Sequence, residues 1–256
     1  MSNLFVWVRH CNESALSKYK PRPNWFDKRR FFSKLHTDCK RSNIPLSVVF
    51  DGTPETHFVN DFKNINIHTI SKKSAAWSYK FMLDLACKNT ACNMNDIVYF
   101  TEDDYFHRPG WITAITNAFE STDADYVTLY DHPDKYFHYP GLQSEIFKGE
   151  VCYWRTVPST TDTFATRLKT LLEDKDILTR YCDFNTNTSK DHQRFLHLKY
   201  TGRKLVSALP AFSTHVEEYQ LSPFINWERE LTQFSPGSPA CGTTLIEGSE
   251  LSHSVS

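Results

Sequence analysis

Two rhythms of apolar residues run through this chain. Short apolar runs, rich in β-branched and aromatic side chains, predict strands at residues 4–8, 45–50, 66–70, 97–101, 125–130, 150–157 and 204–209. Apolar positions spaced three and four apart predict helices at 25–42, 74–89, 111–121, 161–174 and 190–199. In the first helix Phe31, Phe32 and Leu35 fall on one side, with basic residues on the other. Ser74 is placed to cap the second, and Ala75, Tyr79, Met82, Leu83 and Ala86 follow at helical spacing. Strand and helix alternate through the first half. That predicts a single α/β domain, with a doubly wound, mostly parallel sheet and helices on both faces. From Gln233 the periodicity gives way to Ser, Pro and Gly, so residues 233–256 are expected to form a flexible tail.

The run at 97–101 is apolar at consecutive positions, the pattern of a strand buried on both faces. It leads straight into Glu102-Asp103-Asp104. Three carboxylates at a buried strand's end repel one another and are costly to desolvate unless a cation lies between them. A divalent ion held by oxygen ligands, Mg²⁺ or Mn²⁺, meets that need. The carboxyl ends of strands in open α/β sheets are also where ligands bind. The other reading of the triplet is an acidic, solvated turn. Asp51 closes the second strand and approaches the same sheet edge. It suits a hydrogen bond from a nucleotide's base or ribose, and equally a cap on the Gly52-Thr53-Pro54 turn.

Composition narrows the function classes. The 256 residues suffice for one large α/β domain. A net charge of −1 leaves no basic excess for nucleic acid or an anionic membrane. The seven cysteines are scattered and odd in number, which fits free thiols in a reducing compartment. There is no signal segment and no apolar run long enough to span a bilayer, so a cytoplasmic protein is expected. Neither a GxGxxG turn nor a Walker-type loop follows a strand, which argues against dinucleotide dehydrogenases and P-loop NTPases.

Longer strings carry a resemblance. These are Val98-Tyr99-Phe100-Thr101-Glu102-Asp103-Asp104-Tyr105-Phe106-His107-Arg108-Pro109-Gly110, then Tyr126-Val127-Thr128-Leu129-Tyr130-Asp131-His132-Pro133-Asp134-Lys135-Tyr136, and later Ser213-Thr214-His215. With Asp51 after the second strand, they resemble the GT-A glycosyltransferases, and among these a family-2-type bacterial and viral group. The resemblance runs from about residue 4 to residue 228. It implies a GT-A domain over residues 1–232, with a nucleotide-binding half (1–110) and an acceptor-binding half (111–232). It implies a nucleotide-sugar donor, UDP-sugar favoured, and a glycan or other hydroxyl acceptor.

By the same resemblance, Asp104, Glu102 and His215 would hold Mn²⁺ or Mg²⁺, the Glu being a departure from the usual DxD pattern. Asp51 and Asp103 would meet the nucleotide or sugar. Asp191 would be the general base of an inverting transfer, with His192 as a weaker candidate; as a structural residue, Asp191 would cap its helix. Trp154, Arg155, Thr160 and Thr161 would line the acceptor side, although a Trp is more commonly a core residue. Arg9, ending the first strand, is a candidate for the diphosphate, as are Lys73 and the neighbouring Lys72 at a helix start. Two other classes share these residues: a metal-dependent phosphoesterase or nucleotide-sugar hydrolase, and a non-catalytic carbohydrate-binding domain.

Overall fold

A computed structural model describes residues 2–12, 17–139 and 141–234. The tail from residue 235 onward, with Cys241, lies outside the described residues. The elements in chain order are β1 (Leu4–Cys11), α1 (Lys28–Arg41), β2 (Leu46–Asp51), β3 (Asn66–Ile70), α2 (Ala75–Cys87), β4 (Ile97–Glu102), β5 (Tyr105–His107), α3 (Trp111–Ser121), β6 (Tyr126–Thr128), α4 (Asp134–Phe137), β7 (Ile146–Lys148), β8 (Tyr153–Thr156), β9 (Phe164–Arg167), α5 (Leu168–Arg180), β10 (Cys182–Asp183), β11 (Thr188–Ser189), α6 (Asp191–Tyr200), β12 (Leu205–Leu209), β13 (Ser213–His215) and α7 (Trp227–Thr232).

Nine strands form one sheet in the order β3-β2-β1-β4-β9-β6-β12-β8-β7. Strands β1 to β4 run parallel, β9 and β8 run against their neighbours, and β6, β12 and β7 share the direction of β1. The sheet is therefore mostly parallel, as the alternating pattern predicts. Along β1, Leu4, Val6 and Val8 face one core while Phe5 and Trp7 face the other. Helices α1 and α3 cover the first face, and α2, α5 and α6 the second. Burial on both sides is why the central strands read as continuous apolar runs.

One expected element is wrong. Residues 161–174 were expected to be helical, but Phe164–Arg167 form β9, inserted antiparallel between β4 and β6. The helix begins only at Leu168 and runs to Arg180. Phe164 packs against Phe100, ring centroids 5.2 Å apart, and Ala165 faces the opposite core. Ladder hydrogen bonds to strands on both sides outweigh the helical spacing read from residue 161, which no Gly or Pro interrupts before Leu168. The expected strand at 150–157 shortens to β8, with β7 beside it.

Past β4 the chain turns at Asp103-Asp104 into β5, which pairs with β13 in a separate two-stranded sheet. A small core of Phe31, Phe106, Ala211, Val216, Trp227 and Leu231 supports that pair. The register sets His215 opposite Tyr105.

Candidate functional site

The site follows from three side chains leaving one strand end in three directions. Strand pleating places Glu102 on the same face as Arg9, toward α2, and their carboxylate and guanidinium are paired. Arg9 also donates to the Ala75 carbonyl at 2.8 Å and lies 3.5 Å from Asp162. Asp162 in turn pairs with the fully buried Arg194, whose guanidinium covers the Tyr79 ring and donates to Ser189 Oγ at 2.7 Å.

Asp103 turns toward α1. Its Oδ2 accepts from Lys28 Nζ at 2.8 Å and from the Cys11 amide at 3.2 Å, and lies 3.1 Å from His10 Nδ1. Burial alone would raise this carboxyl, but His10 and Lys28 outweigh it and hold it at about 2.

Asp104 points to the β13 side. Its Oδ2 accepts from Arg22 Nη2 at 2.7 Å and lies 3.0 Å from His215 Nε2. The His215 ring stacks on Tyr105 at 5.2 Å. Lys20 Nζ is 3.2 Å from His215 Nε2, 3.5 Å from Glu217 Oε2 and 3.7 Å from Asp104 Oδ2. Burial works against the Asp104 charge, but His215, Lys20 and Arg22 together hold its carboxyl well below the ordinary range.

Asp191 opens α6 as its first helical residue and accepts from the His192 amide at 2.7 Å, so it does not serve as the cap; Lys190 occupies that position. Burial, then the charge of Asp162, raise the Asp191 carboxyl to about 7, with Glu102 adding to the effect. That is the value a general base needs near neutrality. His192 Nδ1 lies 2.9 Å from Ser159 Oγ, and the ring contacts Tyr139.

Several expected contacts lie elsewhere. Both Asp51 oxygens are taken by backbone amides at the start of α2: Lys72 at 2.8 Å, Lys73 at 2.9 Å and Ser74 at 2.9 Å. Asp51 thus caps the loop before α2 and not the turn after β2, and its carboxylate supplies the anion that the helix start favours. The Lys73 side chain is exposed, and the Lys72 ammonium lies over Trp77. Arg9 is turned into the Glu102–Asp162 pairing and not toward an open diphosphate.

On the expected acceptor side, Trp154 is fully buried in the core, because β8 pleating sends it inward beside Phe147. Arg155, one residue on, faces the other way and pairs with Asp131 at 2.5 Å. Thr160 donates to Thr128 inside the protein, and Thr161 shares a hydrogen bond with Tyr105 at 2.8 Å.

The expected ligand trio is split, for Glu102 faces α2 while Asp104 and His215 meet. Among the described residues no group of three His, Cys, Asp or Glu side chains is gathered to hold a metal ion. Of that trio only Asp104 and His215 meet, and the Lys20 ammonium lies beside both, 3.2 Å from His215 Nε2 and 3.7 Å from Asp104 Oδ2. Sequence reading missed Lys20, Arg22, Lys28, His10, Asp162, Arg194 and Glu217. A polar loop holding Lys20 and Arg22 gives no sign of its target; the pleat, by contrast, already separates Glu102 from Asp103.

No protein-family model matches the chain, and no curated protein matches it. Among solved structures it is similar to S. aureus TarS 1-349 in complex with UDP, at 15% identity and a TM-score of 0.48, over 80% of this chain and 57% of that one. The chain therefore spans little more than half the length of that relative. It is also similar to a CMP:2-keto-3-deoxy-manno-octonic acid synthetase complexed with CTP, at 12% identity and a TM-score of 0.48, covering 82% and 92%. A 4-diphosphocytidyl-2C-methyl-D-erythritol synthase matches at 8% identity and a TM-score of 0.44, covering 91% and 98%. No described helix is long and apolar enough to cross a membrane.

Proposed function

We propose that the chain is a GT-A-type glycosyltransferase that moves a sugar from a nucleotide-sugar donor, UDP-sugar favoured, to a glycan or other hydroxyl acceptor. One observation carries the reading. The β5–β13 pairing brings His215 onto Asp104 at the carboxyl end of a central parallel strand, while Asp191, a base tuned to neutrality, joins the Glu102–Asp162 cluster at that same end.

Glycosyl transfer leaves negative charge on the departing diphosphate and positive charge on the sugar ring. A divalent ion, Mn²⁺ or Mg²⁺, held by Asp104 and His215 would stabilise the departing diphosphate as a Lewis acid. Asp191 takes the proton from the incoming hydroxyl, and an inverted configuration follows from attack on the face opposite the leaving group. The Arg9–Glu102–Asp162–Arg194 pairings hold the negative neighbours that keep Asp191 near 7. Charge pairing within this buried cluster fixes the geometry that the base requires.

The test is a thermal-shift panel of UDP-, GDP- and dTDP-sugars with and without Mn²⁺. One nucleotide series is expected to stabilise the protein in the presence of the metal, and Asp104→Asn is expected to abolish the metal-dependent part. Equal UDP binding by parent and variant with Mn²⁺ present would remove Asp104 from the metal site. Hydrolysis of generic phosphate esters, with no transfer to any hydroxyl acceptor, would favour a hydrolase.

A further inference from the structure

Left-handed backbone suits glycine and is tolerated by asparagine, but it is costly for a bulky side chain. Among the described residues five non-glycine positions adopt it, and three of them are Asn. Phe224, at φ 69°, is the aromatic one. Its ring gains little from packing, for the residue is 79% exposed. The segment around it is nonetheless firmly held. The Ser222 amide donates to Thr214 Oγ1 at 2.8 Å, and Trp227 Nε1 donates to the Ser222 carbonyl at 2.8 Å. Leu221 and Ile225, on either side, pack against the small core that supports β5 and β13. Backbone strain of this kind persists where the surroundings impose it, and it clusters at ligand sites.

The outward ring has an aromatic neighbour. Tyr136 on α4 meets Phe224 at 81° with ring centroids 5.8 Å apart, so the two rings form a corner. The Tyr136 hydroxyl donates to Asp131 Oδ2 at 2.6 Å, and the Arg155 guanidinium lies 4.5 Å from the Tyr136 ring centroid. Arg155 is only 8% exposed, and its Nε has no hydrogen-bond partner among the described residues. A buried donor left unpaired is uncommon in a folded protein. The corner also borders the acidic turn. The Tyr130 hydroxyl donates to the Gln220 carbonyl at 2.6 Å, and the Tyr130 ring stands edge-on to Tyr105, on which His215 stacks.

We propose that Phe224 and Tyr136 form a stacking corner for a pyranose ring of the acceptor, with the Arg155 guanidinium beside it to donate to a sugar hydroxyl. The inference rests on the transferase reading, and it moves the aromatic platform from the buried Trp154 to two rings at the surface. A pyranose has an apolar C–H face and a rim of hydroxyls. An aromatic ring matches the face and a guanidinium matches the rim; an apolar wall with a few placed polar groups is the usual build of a small-ligand site. A lipid tail or an apolar protein face fits less well. It would strip water from the partly exposed Asp134–His132 pair on the same segment, whereas sugar hydroxyls replace that water.

The experiment titrates methyl glycosides of glucose, galactose, N-acetylglucosamine and rhamnose into the full chain, with and without UDP, and reads binding by saturation-transfer NMR. At least one glycoside is expected to bind, and Phe224→Asn is expected to weaken it about tenfold. Because Asn accepts left-handed backbone, the same variant is expected to melt roughly 2–4 °C higher, which excludes a damaged fold as the cause of the loss. Phe224→Tyr keeps the ring and is expected to stay within about twofold of the parent. Tyr200→Ala removes an 87% exposed ring at the opposite end of α6 from Asp191 and is expected to change nothing. Absence of any glycoside signal overturns the proposal, as does equal affinity in parent and Phe224→Asn, or an equal loss in Phe224→Asn and Phe224→Tyr. Phe224-dependent sedimentation with phosphatidylglycerol vesicles, or Phe224-dependent self-association, in place of glycoside binding also overturns it. The nucleotide-sugar thermal shift is read in parallel. That shift without glycoside binding overturns this proposal alone; glycoside binding with no shift in any nucleotide series overturns the transferase reading and leaves the stacking corner.

Discussion

Asp191 offers a test in which activity and stability should move in opposite directions. Its carboxyl is raised from an ordinary value near 3.8 to about 7, first by burial and then by Asp162, with Glu102 adding to the effect. The fold therefore favours the protonated form. That contribution to stability is fully present below about pH 4 and is lost as the pH rises through 7. Three pKa units correspond to about 4 kcal/mol, and partial contact with solvent reduces the effect to roughly 2–4 kcal/mol.

Asp191→Asn cannot ionise, and it keeps the oxygen that accepts from the His192 amide. At pH 8 it is expected to melt roughly 5–10 °C above the parent, and at pH 4 to melt at the same temperature. As a catalyst the same variant should lose about 10²–10⁴-fold in kcat, roughly 3–5 kcal/mol of barrier. In the parent, kcat/KM should rise with pH to about 7 and level off above it, because only the deprotonated base accepts the acceptor's proton. The assays are scanning calorimetry at the two pH values and nucleotide release from the preferred donor with acceptor present. If the variant keeps a tenth or more of parental turnover, or if kcat/KM is flat from pH 6 to 8, Asp191 is not the base. If it melts no higher at pH 8, the raised carboxyl is wrong as well.

Other outcomes follow from particular contacts. Asp51→Ala leaves three amides at the start of α2 without their acceptor, and is expected to cost roughly 2–3 kcal/mol in denaturant unfolding. Trp154→Ala empties a fully buried position and should cost about 3–5 kcal/mol, while Trp154→Phe should leave the acceptor KM unchanged because the ring never reaches solvent. Arg194→Met removes the nearer of the two cations paired with the buried Asp162, Arg9 remaining at 3.5 Å, with an expected loss of roughly 1.5–3 kcal/mol by the same unfolding measurement.

The limits of sequence reading show most clearly at β9 and at Trp154. Phe164-Ala165-Thr166-Arg167 carries no local mark that distinguishes a buried strand from the first turn of the helix that follows it. Its state depends on the slot between β4 and β6, which comes from elsewhere in the chain. Trp154 has the same character: a ring beside Arg155 suits a sugar platform, until the partner strand shows which face is inward. Arg9 was legible as a strand-end cation, but its partners Glu102 and Asp162 are 93 and 153 residues away.

By itself the sequence determined what local physics determines. Consecutive apolar positions specified strands buried on both faces, helical spacing specified which faces cover them, and three adjacent acids required counter-charge at the end of β4. It could not say which cations would answer. Lys20, Arg22, Lys28 and His10 reach the acidic turn only because β1, the following loop and the start of α1 converge on one sheet edge, and His215 reaches it only through the pairing of β5 with β13. Charge pairing acts over a few ångströms of space, and only the tertiary fold converts separations of tens or hundreds of residues into those distances.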